Sequence, residues 1–211
     1  MPVVSRILTA ADAPLAHLAK RDRRLAAVIA RLKRLRVRGV RSPSRHMIET
    51  IVGQMLSSKA GDAIVTRMEA LCGGTLTAAR VAAYDASALQ SCGLSRRKAE
   101  CIAGFARFVR AHPRFLRELE TLSDDEAMRR LTALPGIGPW SAKMHLIFVL
   151  GRENVVPYED GAFVQAYRRL YGEEATKENA LRRARRWAPY ASYAARLLYR
   201  ALDGGVLDEL P

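Results

Sequence analysis

Cysteine is scarce and unpatterned in this 211-residue chain: there are three, Cys72, Cys92 and Cys101. An odd number, with no CxxC pair and no clustered histidine, argues against a disulfide framework and against a structural zinc. It suits buried thiols in a reducing compartment. Long apolar runs are also missing. No stretch approaches the about 20 apolar residues that span a bilayer, and the N-terminus has no apolar run followed by a cleavage site, so a soluble, intracellular protein is expected. Alternating strand patterns and βαβ spacing are absent. Acids are in short supply: 21 Asp plus Glu face 35 Lys plus Arg, a net charge of +14. That field favours a polyanion, either nucleic acid or an anionic membrane surface, the bland alternative being a basic ribosomal or purely solvating surface.

What is present is helical periodicity. Residues 12–36 carry Leu15, Leu18, Leu25, Val28, Ile29 and Leu32 at helical spacing behind Asp12 and Pro14. Further helices are expected from Ser44, over 59–71, 77–82, 87–91 and 96–111, from Ser123, and over 139–150, 160–171, 177–187 and 189–202. Residues 154–159 read as extended. The expectation is an all-α fold in one compact unit over 1–211, with room for two lobes.

One connector stands out. Leu134-Pro135-Gly136-Ile137-Gly138 lies between two helices, in a segment of about 123–150. Its glycines permit positive φ, and its bare backbone N–H groups, at a helix N-terminus, can meet a phosphate closely. For a bare GxG, a plain helix-helix turn with no ligand is the better reading. The full five-residue turn in a +14 chain favours DNA. Arginine runs such as Arg96-Arg97-Lys98 would supply bidentate phosphate contacts, or simply a solvated helix face.

The stretch Leu134 to Lys143 resembles the helix-hairpin-helix of the HhH-GPD DNA glycosylase superfamily. Three other stretches agree: Ile51 to Ser57 with its Gly53-Gln54 pair, Gly93-Leu94-Ser95 to Glu100, and Trp187-Ala188-Pro189-Tyr190-Ala191-Ser192 with Tyr199 beyond it. The likeness runs over about 44–200. It implies a bilobed helical fold and a monofunctional enzyme that removes a damaged, alkylated or deaminated purine in base excision repair. The competing reading is a helix-hairpin-helix protein that binds distorted duplex without chemistry. The four-cysteine iron–sulfur motif of other branches is missing, and Trp140 together with the Trp187-to-Tyr190 segment implies instead the 3-methyladenine glycosylase II branch.

The resemblance assigns roles residue by residue. The family's essential acid, in a Pro-x-x-Asp setting, falls on Asp160, 20 residues beyond Trp140. Glycosidic cleavage develops positive charge on the sugar, and a fixed carboxylate stabilises it. The same Asp160 is also a plausible helix N-cap. Lyase members carry a nucleophilic lysine where this chain has Trp140, so water is the expected nucleophile. Trp140 leads the base-pocket candidates, followed by Tyr158, Met144, Tyr190 and Trp187, for which core packing serves as well. Met144, with His145 beside it, and Ala191 depart from the family's usual residues. DNA contacts are expected from Gly136, Ile137, Gly138, Lys143, Gln54, Ser57, Arg96 and Lys98, and Met55 is a candidate wedge for the gap left by a flipped base. The family also binds a monovalent cation, sodium or potassium, through carbonyls that correspond to Thr132, Leu134 and Ile137; no other cofactor is expected. A monomer acting on double-stranded DNA, in the cytoplasm at the nucleoid or in a nucleus, completes the expectation.

Overall fold

The computed structural model describes residues 5–40 and 42–209. In chain order its elements are β1 (Arg6–Leu8), α1 (Ala13–Arg21), α2 (Arg23–Leu32), β2 (Leu35–Val37), α3 (Pro43–Gly53), α4 (Ser58–Leu71), α5 (Ala78–Val81), α6 (Ala86–Gln90), α7 (Arg96–Ala111), α8 (Phe115–Glu118), α9 (Asp124–Thr132), α10 (Pro139–Phe148), α11 (Gly161–Tyr171), α12 (Lys177–Trp187) and α13 (Ala191–Asp203). Short 3₁₀ turns follow α8 and α13. The expected all-α class holds. Where the sequence reads as one unit, contacts group the chain into two: residues 40–150, and a second unit made from both flanks.

In the first unit, α3 presents Met47, Ile48, Ile51 and Val52 to the interior. It packs on α4, α7 and α10. Its start is fixed by Ser42, whose hydroxyl accepts the Arg45 N–H, with Pro43 in the first turn where its missing N–H costs nothing. Similar hydroxyl caps begin α4 at Ser57, α7 at Ser95 and α9 at Ser123. Acids at Asp124, Asp125 and Glu126 complement the α9 dipole.

The second unit corrects one expectation. Residues 12–36 are not one helix. Asp22 interrupts them, because its carboxylate caps α2 by accepting the Arg24 and Leu25 N–H groups at 3.1 and 3.2 Å. After α2 the chain turns at Lys33, with φ +59°, into β2, which pairs antiparallel with β1. Those three-residue strands are too short to show alternation in sequence.

Asp22 is buried, and such a charge persists only if its hydrogen bonds are filled. The Tyr171 hydroxyl and Trp187 Nε1 donate to its Oδ2 at 2.9 and 3.0 Å. Burial, then the Asp22 charge, push the Tyr171 hydroxyl far above the ordinary tyrosine range. The Arg183 guanidinium lies 3.8 Å over the Tyr171 ring. This network sits inside an apolar core of α1, α2, α11, α12 and α13.

Candidate active site and DNA interface

The second unit positions the carboxylate. Residues 153–160 form irregular backbone rather than a strand, and the start of α13 straps them in place. The Ser192 N–H donates to the Glu153 carbonyl at 2.9 Å, the Val155 N–H donates to Ser192 Oγ at 2.9 Å, and the Tyr193 hydroxyl donates to Glu153 Oε1 at 2.7 Å. A turn then closes from the Asp160 N–H to the Pro157 carbonyl at 2.9 Å. Asp160 caps α11, its Oδ1 accepting the Phe163 N–H at 2.8 Å. Two turns along α13 from Ser192, the buried Tyr199 hydroxyl lies against the same carboxylate. Its acidity is suppressed by burial first, then by the Asp160 charge and their hydrogen bond. Capping and catalysis are therefore compatible roles: the cap fixes the direction of a carboxylate that is 9% exposed.

Three aromatic candidates belong to this unit. Trp187 is fully buried, with its indole N–H spent on Asp22 and its ring against Phe163, Tyr167 and Tyr171. It has no face to offer a base, so its assignment to the pocket is corrected to the core. Tyr190 is half-buried, edge-on to His17 at 5.4 Å and near Tyr193 at 5.9 Å. Tyr158 is half-buried, with Lys177 Nζ 5.7 Å above its ring. Burial and the neighbouring Glu159 raise its hydroxyl above the usual tyrosine value.

The first unit carries the hairpin, residues 133–138 between α9 and α10. The Ile137 N–H closes the turn on the Leu134 carbonyl at 3.1 Å, and Ile137 itself is buried. Gly136 adopts φ +77°, and a Cβ there would stand 2.2 Å from Cys101 Sγ. That thiol donates to the Pro135 carbonyl at 3.1 Å. Gly138 caps α10 with no side chain on the first-turn N–H groups, which suits an anion there. Lys143 is half-buried one turn into α10.

Before the hairpin in sequence, the loop between α3 and α4 holds Gln54, Met55 and Ser57. Gln54 Nε2 donates to Ser141 Oγ at 3.0 Å and reaches the Gly136 carbonyl at 3.5 Å. Met55 has φ +57° and is 101% exposed. Ser57 is exposed and caps α4. On α7, Arg96 pairs with Glu100 at 2.8 Å, yet its side chain stays 83% exposed. An exposed pair of this kind is worth little and exchanges readily for phosphate. Lys98 behaves otherwise: its ammonium is spent on the Val52 and Gln54 carbonyls.

A cleft of about 450 Å³ lies in this unit, lined by His46, Thr50, Gly53, Ser57, Trp140 and Met144 among others. Its size falls within the usual range for small-ligand sites, about 300–1,000 Å³. Behind Met144, His145 is fully buried, and neither ring nitrogen has a hydrogen-bonding partner among the described residues. Burial, with a lesser push from His46, holds its imidazole down to about 3. The folded protein keeps His145 neutral while the unfolded chain takes up a proton below about pH 6.5, so stability is complete above that pH and declines as pH falls toward 3. We expect a loss of about 2 kcal/mol at pH 5 from this group. His145→Leu should remove that acid limb, read as urea midpoints at pH 7 and pH 5. An unchanged slope in the variant would assign the acid sensitivity elsewhere.

The model of the HhH-GPD superfamily base excision DNA repair proteins matches residues 48–190, which contain the hairpin, the loop between α3 and α4, and Asp160. The chain belongs to this superfamily. Among HhH-GPD relatives, it is 30% identical over 198 residues to the DNA-3-methyladenine glycosylase 1 of Schizosaccharomyces pombe, covering 92% of this chain and 87% of that one. A crystal structure of a DNA-3-methyladenine glycosidase from Bacillus halodurans superposes with a TM-score of 0.81 at 29% identity, over 97% of this chain and 98% of that chain. A Schizosaccharomyces pombe 3-methyladenine DNA glycosylase, solved with abasic DNA, superposes at 0.80 with 28% identity, over 91% and 97% of the two chains. Within the HhH-GPD match, sequence reasoning singled out Asp160 and the hairpin as candidates but missed the residues that support them. Ser192 and Tyr199 lay inside recognised stretches, yet no spacing rule announced that they brace residues 153–160. Cys101 gave no signal as the partner of Gly136.

Proposed function

We propose that this chain is a monofunctional DNA glycosylase that flips a damaged purine out of duplex DNA and hydrolyses its N-glycosidic bond, in base excision repair. The observation that carries this reading is the Asp160 carboxylate, fixed as the α11 cap in a family whose named relatives are 3-methyladenine glycosylases. As the bond between sugar and base breaks, positive charge grows on the deoxyribose, and a preorganised carboxylate lowers its energy. Water adds to the sugar carbon and the base departs with the bonding electrons, leaving an abasic site. Asp160 can orient that water and take its proton. Trp140 supplies no amine, so no Schiff base forms. An alkylated purine carries positive charge in its ring, and the Trp140 face in the cleft attracts it. Met55 is the wedge: fully exposed, apolar and unbranched.

Carbonyls of Thr132, Leu134 and Ile137, at the negative end of α9 and in the turn after it, would hold a monovalent cation such as sodium or potassium through oxygen alone. A bound cation would add positive charge beside the phosphate-facing hairpin. No group of three or more His, Cys, Asp or Glu suited to a metal occurs among the described residues. No helix there is long and apolar enough to cross a membrane. The reading makes the protein a monomer on damaged duplex, wherever the cell keeps its DNA, at a nucleoid or in a nucleus.

The test is a panel of duplexes bearing 3-methyladenine, 7-methylguanine, hypoxanthine, 1,N6-ethenoadenine or uracil. Release of the alkylated purines, with abasic sites and no borohydride-trapped adduct, is expected. Binding without release from any lesion would make the chain a DNA-binding protein without chemistry.

A further inference from the structure

We propose that Lys98 is a positioning residue for base flipping: it fixes the Met55 loop at a set offset from the phosphate-docking hairpin, and it is not itself a phosphate ligand. The proposal rests on the glycosylase reading above and concerns how that site engages DNA.

Lys98 Nζ lies 2.7 Å from the Val52 carbonyl and 2.5 Å from the Gln54 carbonyl. Both are charge-assisted bonds to the end of α3, where carbonyls lose their helical partners and the dipole favours a cation. Burial lowers the Lys98 pKa, in keeping with an ammonium turned inward. The next residue after Gln54 is Met55. A non-glycine residue at φ +57° costs energy, and it persists only where the surroundings over-determine it. Lys98 supplies that constraint on the peptides just before Met55. The Gly93-to-Glu100 motif is shaped for this inward reach. Gly93 turns the chain at φ +95°, Ser95 caps α7 by accepting the Lys98 N–H, and Ala99 packs flat in the core.

The same helix also holds the hairpin. Cys101, one turn after Lys98 and on the same side of α7, bonds the Pro135 carbonyl and fills the space against Gly136. Gln54 closes the arrangement from the other direction through Ser141 and Gly136. Wedge loop, α7 and hairpin are thus one hydrogen-bonded body inside a single unit. Once the hairpin N–H groups grip a phosphate, the wedge meets one particular base step. Arg96, by contrast, extends into solvent from the first turn of α7, as a phosphate ligand should.

The experiment uses the full chain carrying Asp160→Asn, with and without Lys98→Met, bound to a duplex with 2-aminopurine beside the target base. Fluorescence rises as the wedge unstacks the step. Lys98→Met should lose most of that rise, while affinity for undamaged duplex and its salt dependence stay as they were. A phosphate ligand would instead lower the salt slope by about 0.9 and leave the fluorescence rise at saturation intact; that result overturns the proposal. With Asp160 restored, base release should fall for a paired lesion and recover for a lesion opposite an abasic site, where extrusion costs less. Equal losses on both substrates would also overturn it. Should Lys98→Met fail to fold, Gln54→Leu severs the loop's tether to the hairpin and is expected to show the same loss confined to paired lesions, with equal losses counting against the proposal. If the unmutated protein releases no base from any lesion, the glycosylase reading falls, while the fluorescence of the Lys98 pair still decides whether Lys98 sets the wedge.

Discussion

Asp160→Asn will lower base release by about 10²- to 10³-fold while duplex affinity and folding stay near those of the parent. The amide is isosteric and its oxygen can still accept the Phe163 N–H, so the α11 cap and the adjacent turn survive. What disappears is the negative charge that faces the developing cation on the sugar, together with the group that accepts the water proton. The loss should therefore appear in single-turnover rates and not in binding. Tyr199, buried against the same carboxylate, keeps the replacement side chain in place. Single-turnover release from a 3-methyladenine or 7-methylguanine duplex, with a binding isotherm in parallel, decides the matter. Turnover at the parent rate would remove Asp160 from the mechanism.

Gly136→Ala is the second large effect, and it acts on the fold of the interface instead of the chemistry. Two costs combine. An L-residue at φ +77° is strained by about 1–2 kcal/mol. The new methyl would also stand 2.2 Å from Cys101 Sγ and 2.8 Å from Cys101 Cβ, contacts no folded protein tolerates without movement. Overpacking of this kind costs about 1–3 kcal/mol, so a total near 3 kcal/mol is expected, visible as a lowered urea midpoint. Because the methyl is added within the turn itself and pushes it away from α7, DNA affinity should fall as well. Adding Cys101→Ala removes the sulfur but leaves the Cβ contact and the strain, so it should recover only part of the loss. A Gly136→Ala protein with unchanged stability and affinity would show that the turn is looser than its geometry indicates.

The sequence made the local devices legible because each is a short-range rule. The Ser123 start of α9 and Pro14 in the first turn of α1 appear where the sequence places them, while α3 begins at Pro43 behind a Ser42 cap, just ahead of the expected start at Ser44. The hairpin and Asp160 were legible through motif and separation. What failed did so for reasons of range. Asp22 looks like one more polar residue in a helical stripe, yet it caps α2, and its buried carboxylate is held there by the Trp187 and Tyr171 donors, far away in the chain. Trp187 sat in a motif beside plausible pocket residues, and only its burial moved it to the core. Lys98 sat in a basic run that reads as phosphate-binding, and its inward turn depends on carbonyls more than 40 residues earlier. Charge runs do not disclose which member points inward.

The second unit is assembled from both flanks of the chain, with the first unit's 40–150 segment between them. This has a consequence for the order of events during synthesis. A ribosome releases α1 and α2 early, but the helices that cover their apolar faces, α12 and α13, emerge last. The hairpin unit, by contrast, is continuous and can mature while its neighbour still waits, since domains fold as units in the order they appear. The nascent chain thus completes its hairpin before the Asp160 carboxylate is set, because Asp160 is braced only once Ser192 and Tyr199 have been made. A truncated product that ends before α13 would carry the hairpin without a braced carboxylate.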